Sequence, residues 1–469
     1  MAVWGGGERV AKLVWRVKLV AEFETGETTE VEVARIERAD HAGLAGLGLH
    51  LTEAKQLTAA IQAEMVPAQV MIAGQKRPNC DACARVLASK GHYTATFRSL
   101  FGDVPVRVRR LLTCPCQGAG EARSFAAFDL EAATVAPELA YVTARYAALA
   151  PFGKVADLLS ELLPVSGAPN ASTVRKRTMQ AGKAVAQPHA AKSEAATAAS
   201  AKPVIVGLDG GYVRSRHRQD ERHFEVIAGK IIDAEGNPSR FAFARNSPAI
   251  ASDAFNQALA AAGVTADTPA MVLSDGDAGL WRLQREALPN ATVVLDWWHI
   301  AVRFEHALQT ARGLGAVDAK VGAEAVRGLE RAKWRLWHGR WLGCQRKLAA
   351  LCRWVRRTHV CGVAGIWRLE HHANELLGYL ERNQGALVHY AARRRHGEPI
   401  STAFVESSVN EIIAKRMNKK QQMRWNRATV QPFLDVRTAV LNDTLEDAFR
   451  HRYPGFRPVN DNGAITLAA

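Results

Sequence analysis

The stretch from Pro203 to Leu295 constrains the fold most, because its apolar residues come in short runs whose period changes partway along. Val204-Ile205-Val206-Gly207-Leu208 is a continuous apolar run ending on Asp209, as expected of a strand buried in a sheet. Residues 223–232 and 240–244 read as two further strands, with Asp233-Ala234-Glu235-Gly236-Asn237-Pro238 as the turn between them. The period is then helical over 252–262, extended over 270–274, helical over 280–287 and extended over 292–295. Three meandering strands followed by alternating helix and strand predict a mixed five-stranded sheet with flanking helices.

Acids at the strand ends suggest what such a sheet does. Asp209 closes one apolar run, and Asp275 and Asp277 lie at and just past the end of another, Met271-Val272-Leu273. In open α/β sheets, sites gather at the carboxyl ends of strands. For Asp277, which precedes a helix, an N-cap role is the stronger expectation. A third carboxylate has to come from the late helix expected over residues 403–425. At 100° per residue, Val405, Val409, Ile412, Ile413 and Met417 share an apolar arc that includes Glu406, whereas Glu411 falls on the opposite face. Clustered carboxylates repel, by roughly 3 kcal/mol per pair at about 5 Å and an effective dielectric near 20. Hard oxygen ligands suit Mg²⁺ or Mn²⁺, and paired ions of this kind support phosphodiester chemistry. Asp296-x-x-His299 closes the last strand. It either supports that site or makes a structural hydrogen bond at a strand-to-helix junction.

Outside this core the period changes several times. Residues 13–37 alternate as a hairpin with Thr25-Gly26-Glu27 as its turn, and residues 47–72 are helical with Thr52 as the expected cap. Cys80-x-x-Cys83 and Cys114-x-Cys116 bracket two β-like segments, Tyr93–Phe97 and Val104–Val108. Two knuckles flanking strands resemble a zinc ribbon, four thiolates holding structural Zn²⁺; the second knuckle is one residue short, and His92 is a substitute ligand. Free buried thiols are the alternative. Helices expected over 137–149, 154–163 and from Ser172 make a helix-turn-helix unit, its third helix capped by Ser172 or Thr173 and offering Arg175, Lys176 and Arg177 to a major groove. Residues 187–202, rich in Ala, Ser and Lys, extend that helix or link it to the core. Residues 300–398 read as helical throughout. The chain therefore divides into an N-terminal hairpin plus helix (1–74), a zinc-ribbon-like module (75–130), a helix-turn-helix with linker (131–202), the first part of the core (203–299), a helical insertion (300–398), and the Glu-bearing helix with a tail (399–469).

The charge narrows the partner. With 61 Lys+Arg against 46 Asp+Glu the formal net charge is +15, which points to a polyanion, nucleic acid first. No apolar run approaches the roughly 20 residues of a membrane span, and the start carries no secretory pattern, so a soluble cytoplasmic protein is expected. Seven cysteines, three of them scattered at Cys344, Cys352 and Cys361, do not make a disulfide framework. Nine Lys/Arg and no acid lie between Arg331 and Arg357, among them Arg335, Arg340, Arg346, Lys347 and Arg353. Trp334, Trp337, Trp341 and Trp354 interleave with them, at a spacing that suits a helix core face better than a base-stacking platform. With no carboxylate in the segment, phosphate contact is the expected use of these cations.

The motifs also carry a resemblance. Leu208-Asp209-Gly210-Gly211-Tyr212-Val213, Leu273-Ser274-Asp275-Gly276-Asp277, Leu295-Asp296-Trp297-Trp298-His299 and Val405-Glu406-Ser407-Ser408-Val409-Asn410 come in the order seen in DDE transposases of bacterial insertion sequences, and resemble the ISKra family most. The run from Ala414 to Trp425 is similar to that family's C-terminal signature, and the resemblance covers most of residues 75–450. It implies an RNase H-like core with a helical insertion before the Glu-bearing helix. It also implies DNA strand cleavage and strand transfer at terminal inverted repeats, with Asp209, Asp275 and Glu406 as the metal-holding triad. Lys415, Arg416, Lys419 and Lys420 join the DNA-contacting cations. Double-stranded DNA, as element ends and target, is the implied partner, bound by a homodimer or higher oligomer in the bacterial nucleoid. A nuclease that cuts without joining, and a non-catalytic DNA-binding descendant, are the alternatives.

Overall fold

The computed structural model describes residues 12–39, 43–75, 77–117, 124–126, 134–165, 169–186, 203–217, 221–246, 248–360, 362–402, 407–418 and 423–456. The chain forms two compact units, one of residues 1–181 with 446–469 and one of residues 182–445.

In the first unit, β1 (Lys12–Glu22) and β2 (Thr28–Ala39) form the expected hairpin, its turn using the left-handed backbone of Gly26 (φ 81°). Helix α1 spans Leu51–Gln75, so Thr52 lies inside it and is not its cap. Glu53 instead accepts the His50 N–H at 2.9 Å and clamps Arg38 of β2. A second sheet, ordered β3 (Ser89–Ser99), β4 (Gly102–Leu112) and β5 (Ser124–Ala126), buries Val104, Val106 and Val108 against Val66 of α1. Three helices follow: α2 (Pro137–Leu149), α3 (Phe152–Leu162) and α4 (Ala171–Val185). The cap of α4 is Asn170, whose Oδ1 accepts the Thr173 N–H at 2.9 Å, and not Ser172 or Thr173. Phe449 and Phe456, near the C-terminus, pack on Tyr141 of α2 with ring centroids 5.4 and 5.3 Å away. Residues 187–202, the expected linker, lie outside the described residues.

The second unit is built on a five-stranded mixed sheet in the order β10-β9-β6-β7-β8. Strands β6 (Val204–Arg214), β7 (His223–Ile232) and β8 (Pro238–Ala244) run antiparallel in series; β9 (Ala270–Ser274) and β10 (Thr292–Leu295) extend the sheet in parallel. Alternate residues face opposite layers. Val206, Leu208, Ile227 and Val272 pack on one side with Phe255 and Leu259 of α5 (Pro248–Ala261) and Leu280 and Leu283 of α6 (Ala278–Ala287). On the other side Leu273 and Val294 join the core of a helical bundle. That bundle comprises α7 (Trp297–Leu314), α8 (Ala319–Trp337), α9 (Trp341–Val360), α10 (Ile366–Arg382) and the short α11 (Tyr390–Arg395).

Two elements differ from expectation. β6 runs on past Asp209 to Arg214, because Gly210, Gly211 and the residues after them keep pairing with β7. The late helix α12 is described over residues 407–417 only, with a π-helical turn at Asn410–Ala414; it is not one helix to residue 425. Trp425 is instead bound to β6, its N–H donating to Arg214 C=O and its C=O accepting the Arg216 N–H. Helix α13 (Gln431–Leu441) then covers β8, and α14 (Leu445–Arg452), which bears Phe449, belongs to the first unit. Among the described residues no helix is long and apolar enough to cross a membrane.

Candidate active site and cysteine cluster

The acids meet where two parallel strands part. β6 and β9 pair from Val204↔Ala270 to Gly207↔Leu273, and two residues beyond the last pair stand Asp209 and Asp275. β10 pairs with β9 up to Leu295↔Ser274, so Asp296 enters the same row, its N–H donating to Ser274 C=O at 2.9 Å. Burial pushes the Asp209 carboxyl up to about 6; the Asp275 and Asp296 charges push the same way, while the Gly210 N–H (2.7 Å) and His299 oppose them.

Neighbouring residues hold each acid in place. Asp275 Oδ1 accepts the Asp277 N–H at 3.0 Å, and the Asp275 carbonyl accepts the Tyr379 hydroxyl of α10 at 2.7 Å. Gly276 has φ +93° and lies so close to the Asn383 side chain that a Cβ would come within 2.9 Å of it. Asn383 is in turn fixed by Trp281 Nε1 at 2.7 Å. Tyr379 and Asn383 are thus site-shaping residues that no motif singles out: Tyr379 lies on the buried face of α10 and Asn383 is a polar residue just past its end. Asp277 caps α6 by accepting the Gly279 and Leu280 N–H groups, as expected, and pairs with Arg245 at 3.2 Å.

Asp296 is wholly buried and fully engaged. One oxygen caps α7 by accepting the Trp298 N–H at 2.7 Å; the other accepts the Thr402 hydroxyl and lies 3.6 Å from His299 Nε2. It is therefore a structural acid beside the site, and His299, a quarter exposed, is the member of the pair open to it.

Glu406 lies outside the described residues, together with Lys419, Lys420 and Cys361. The described residues on either side of 403–406 have partners of their own. Thr402 is held by Asp296, and Ile400 C=O accepts the Trp297 N–H at 2.9 Å. On the other flank, Val409 and Ile413 of α12 lie over Gly211, where a Cβ would come within 2.7 Å of Ile413 Cδ1. Gly211 is two residues from Asp209 and on the same sheet face. Glu411 points elsewhere and pairs with Arg240 at 3.0 Å. Among the described residues, the groups of three or more potential ligands whose donor atoms lie within 4.8 Å of one another are the four cysteines and His371, His372 and Glu375; no three acids close to that spacing.

The cysteine cluster arises from strand pairing. The β3–β4 register returns the chain so that Leu112 N–H donates to Ala88 C=O, which sets Cys114 and Cys116 beside Cys80 and Cys83. A tight turn, with Ala84 at φ 55° and its N–H donating to Cys80 C=O, folds the first pair inward. Cys80 and Cys116 sulfurs are 3.5 Å apart, as are those of Cys83 and Cys114. Four thiolates at about 2.3 Å from a tetrahedral Zn²⁺ would be separated by about 3.8 Å, so this cluster could bind that ion. The Arg85 backbone N–H, followed by the Cys116 and Cys114 thiols, holds Cys83 down to about 7, while Cys83, Cys114 and Cys80 push Cys116 up, so the first thiolate of the cluster falls to Cys83. His92 pairs with Arg109 on β3–β4 and takes no part in the cluster.

The expected DNA-contacting cations divide. Arg340, Arg346, Lys347 and Arg353 are exposed and Arg335 half-buried; none of the five has an ion-pair partner among the described residues. Arg356 does, binding Glu370 of α10 at 3.4 Å. Trp337, Trp341 and Trp354 pack into the bundle, as core spacing predicts, while Trp334 is exposed with Arg340 over its ring. On α4, Lys176 is exposed, Arg175 is half-buried, and Arg177 is half-buried in the field of Asp103. Lys415 is exposed. Arg416 corrects the expectation: it is fully buried, its guanidinium 5.0 Å from the Phe433 ring and 5.7 Å from that of Trp425, so it braces the fold and does not reach DNA.

No protein-family model matches the chain, and no curated protein matches its sequence.

Proposed function

We propose that the chain is a DDE-type DNA transposase with an RNase H-like core, in which Asp209, Asp275 and Glu406 hold catalytic Mg²⁺ or Mn²⁺. The observation that carries this reading is the juxtaposition of Asp209 and Asp275 at the carboxyl ends of β6 and β9, with the Asp209 carboxyl raised by burial and by its acidic neighbours. Two acids in that position favour a hard cation between them. Thr402 is bound to Asp296 and Val409 lies beside Gly211, so described residues on both sides of Glu406 in the chain lie near this row of acids. A π-helical turn just after it is a feature often found at functional sites.

When bound, the ions would supply Lewis-acid stabilisation to phosphodiester cleavage and strand transfer. The protein's own part is positioning. Tyr379 and Asn383 fix the Asp275 loop, Asp296 fixes the start of α7 and so orients His299, and the exposed cations of α9 and of the turn before it grip phosphates. Cys80, Cys83, Cys114 and Cys116 hold structural Zn²⁺ in a zinc-ribbon-like module, and α3 and α4 act as the helix-turn-helix reader of element ends.

The test is a supercoiled plasmid carrying the DNA that flanks the gene on both sides, incubated with protein and Mg²⁺. Wild type should cut at the flanks and join the freed ends to new sites. Asp209→Asn and Asp275→Asn should bind the plasmid and do neither. Cutting without joining would favour a nuclease, and unchanged cutting by both variants would overturn the assignment.

A further inference from the structure

A second cluster of donor groups lies away from both sites, where α7 and α10 cross. His371 and Glu375 are one helical turn apart on α10, with Nε2 and Oε2 3.7 Å from each other. His372 stands next to them, and ligand atoms of all three residues fall within 4.8 Å of one another. From α7, His306 brings a third imidazole, its ring centroid 6.3 Å from that of His372. Glu375 has no Lys or Arg counter-ion among the described residues; its one ion-pair partner is His371. The helices beneath are fixed by buried Phe304, Leu308, Leu369 and Ala373, so the donors project from a rigid frame.

We propose that His371, His372 and Glu375, with His306 completing the set, bind one divalent ion of the zinc class, joining α7 to α10. Imidazole and carboxylate donors suit Zn²⁺, Ni²⁺ or Co²⁺, in contrast to the all-thiol cluster near β3 and the all-oxygen row at Asp209 and Asp275. The consequence is local stiffening. α7 starts at Asp296 and His299, and α10 carries the Tyr379 that holds Asp275, so the ion would clip together the two helices that frame the acids. The inference stands on these donors alone and does not depend on the transposase reading.

The experiment uses the full chain supplied with one equivalent of Zn²⁺, which the four thiols take first, and then titrated with Ni²⁺ by calorimetry. Wild type should bind one further ion per chain, and its thermal midpoint should rise with Ni²⁺ concentration by mass action. Glu375→Gln and His371→Ala change exposed side chains and leave the core intact; circular dichroism checks this. Each should weaken the extra binding by at least about tenfold and remove the thermal shift, while the single Zn²⁺ equivalent is retained. His306→Ala should weaken it as well. With Co²⁺ in place of Ni²⁺, visible bands should appear without thiolate charge transfer. Absence of a further ion at millimolar Ni²⁺, or binding unchanged in both α10 variants, overturns the site; binding unchanged in His306→Ala removes α7 from it.

Discussion

Asp209 holds its charge in a place that disfavours it. Its carboxyl is raised from 3.8 to about 6, first by burial. Between those two values the folded protein keeps a proton that the unfolded chain has released. Stability therefore falls as pH rises through that window, and the full penalty is present above the folded value. About two pKa units correspond to something on the order of 3 kcal/mol, less whatever water relieves at this half-buried group. Asp209→Asn keeps the acceptor for the Gly210 N–H and removes the charge. Urea titrations at pH 7.5 should show it more stable than wild type by about 1–3 kcal/mol, with the gap closing below pH 4. An Asn variant less stable than wild type at pH 7.5 would show that Asp209 is not held against its own solvation. The same residue marks a limit of sequence reading. An apolar run stopping at an acid looks like a strand end, yet the strand continues, because what ends there is the pairing with β9 and not the pairing with β7.

Among the elements, the mismatch in strand length does the most to shape the site. β6 has 11 residues and β9 has 5, so the β9 side of β6 is left open beyond Gly207, and the acids occupy the opening. Farther along, Trp425 takes up backbone partners at Arg214 and Arg216. This is why the expected helix stops at Met417: the run before Trp425 is helix-compatible in period, but a long-range strand partner claims its end. The five strands, their order in the chain and most of the helices were legible, because each has its own hydrophobic period. The caps were less so, since Asn170 and Glu53 do work that nearby Ser or Thr could have done. The cysteine pairs were legible as a unit, and hairpin pairing accounts for the short second knuckle, as all four sulfurs converge without His92. If those thiols hold Zn²⁺, prolonged chelation at neutral pH should release one ion per chain and expose Val104, Val106 and Val108 to hydrogen exchange, while β6–β10 keep their protection. Equal exchange before and after chelation would make the cluster four free thiols.

For the molecule as a whole, the excess of +15 is not spread evenly in use. Arg416 stands in a basic run and so reads as a DNA-contacting cation, because composition cannot tell a cation stacked on Phe433 and Trp425 from one facing solvent. Arg356 is likewise committed, to Glu370. What remains on α9 and in the turn before it is a set of exposed cations over a Trp-bearing core: Arg340, Arg346, Lys347 and Arg353. Each one that neutralises a phosphate releases counterions from DNA, so the salt dependence of binding counts them. Replacing Arg346 with Ala should flatten the slope of log K against log salt by about 0.9 on duplex DNA, and the Arg346/Arg353 double variant by about twice that, with the fold unchanged. Arg416→Met should do the reverse, lowering stability while leaving the slope of the folded fraction alone, since its guanidinium meets aromatic rings and not water. Slopes equal to wild type in both the single and the double variant would place the DNA grip on another surface, α4 being the next to examine through Lys176→Ala.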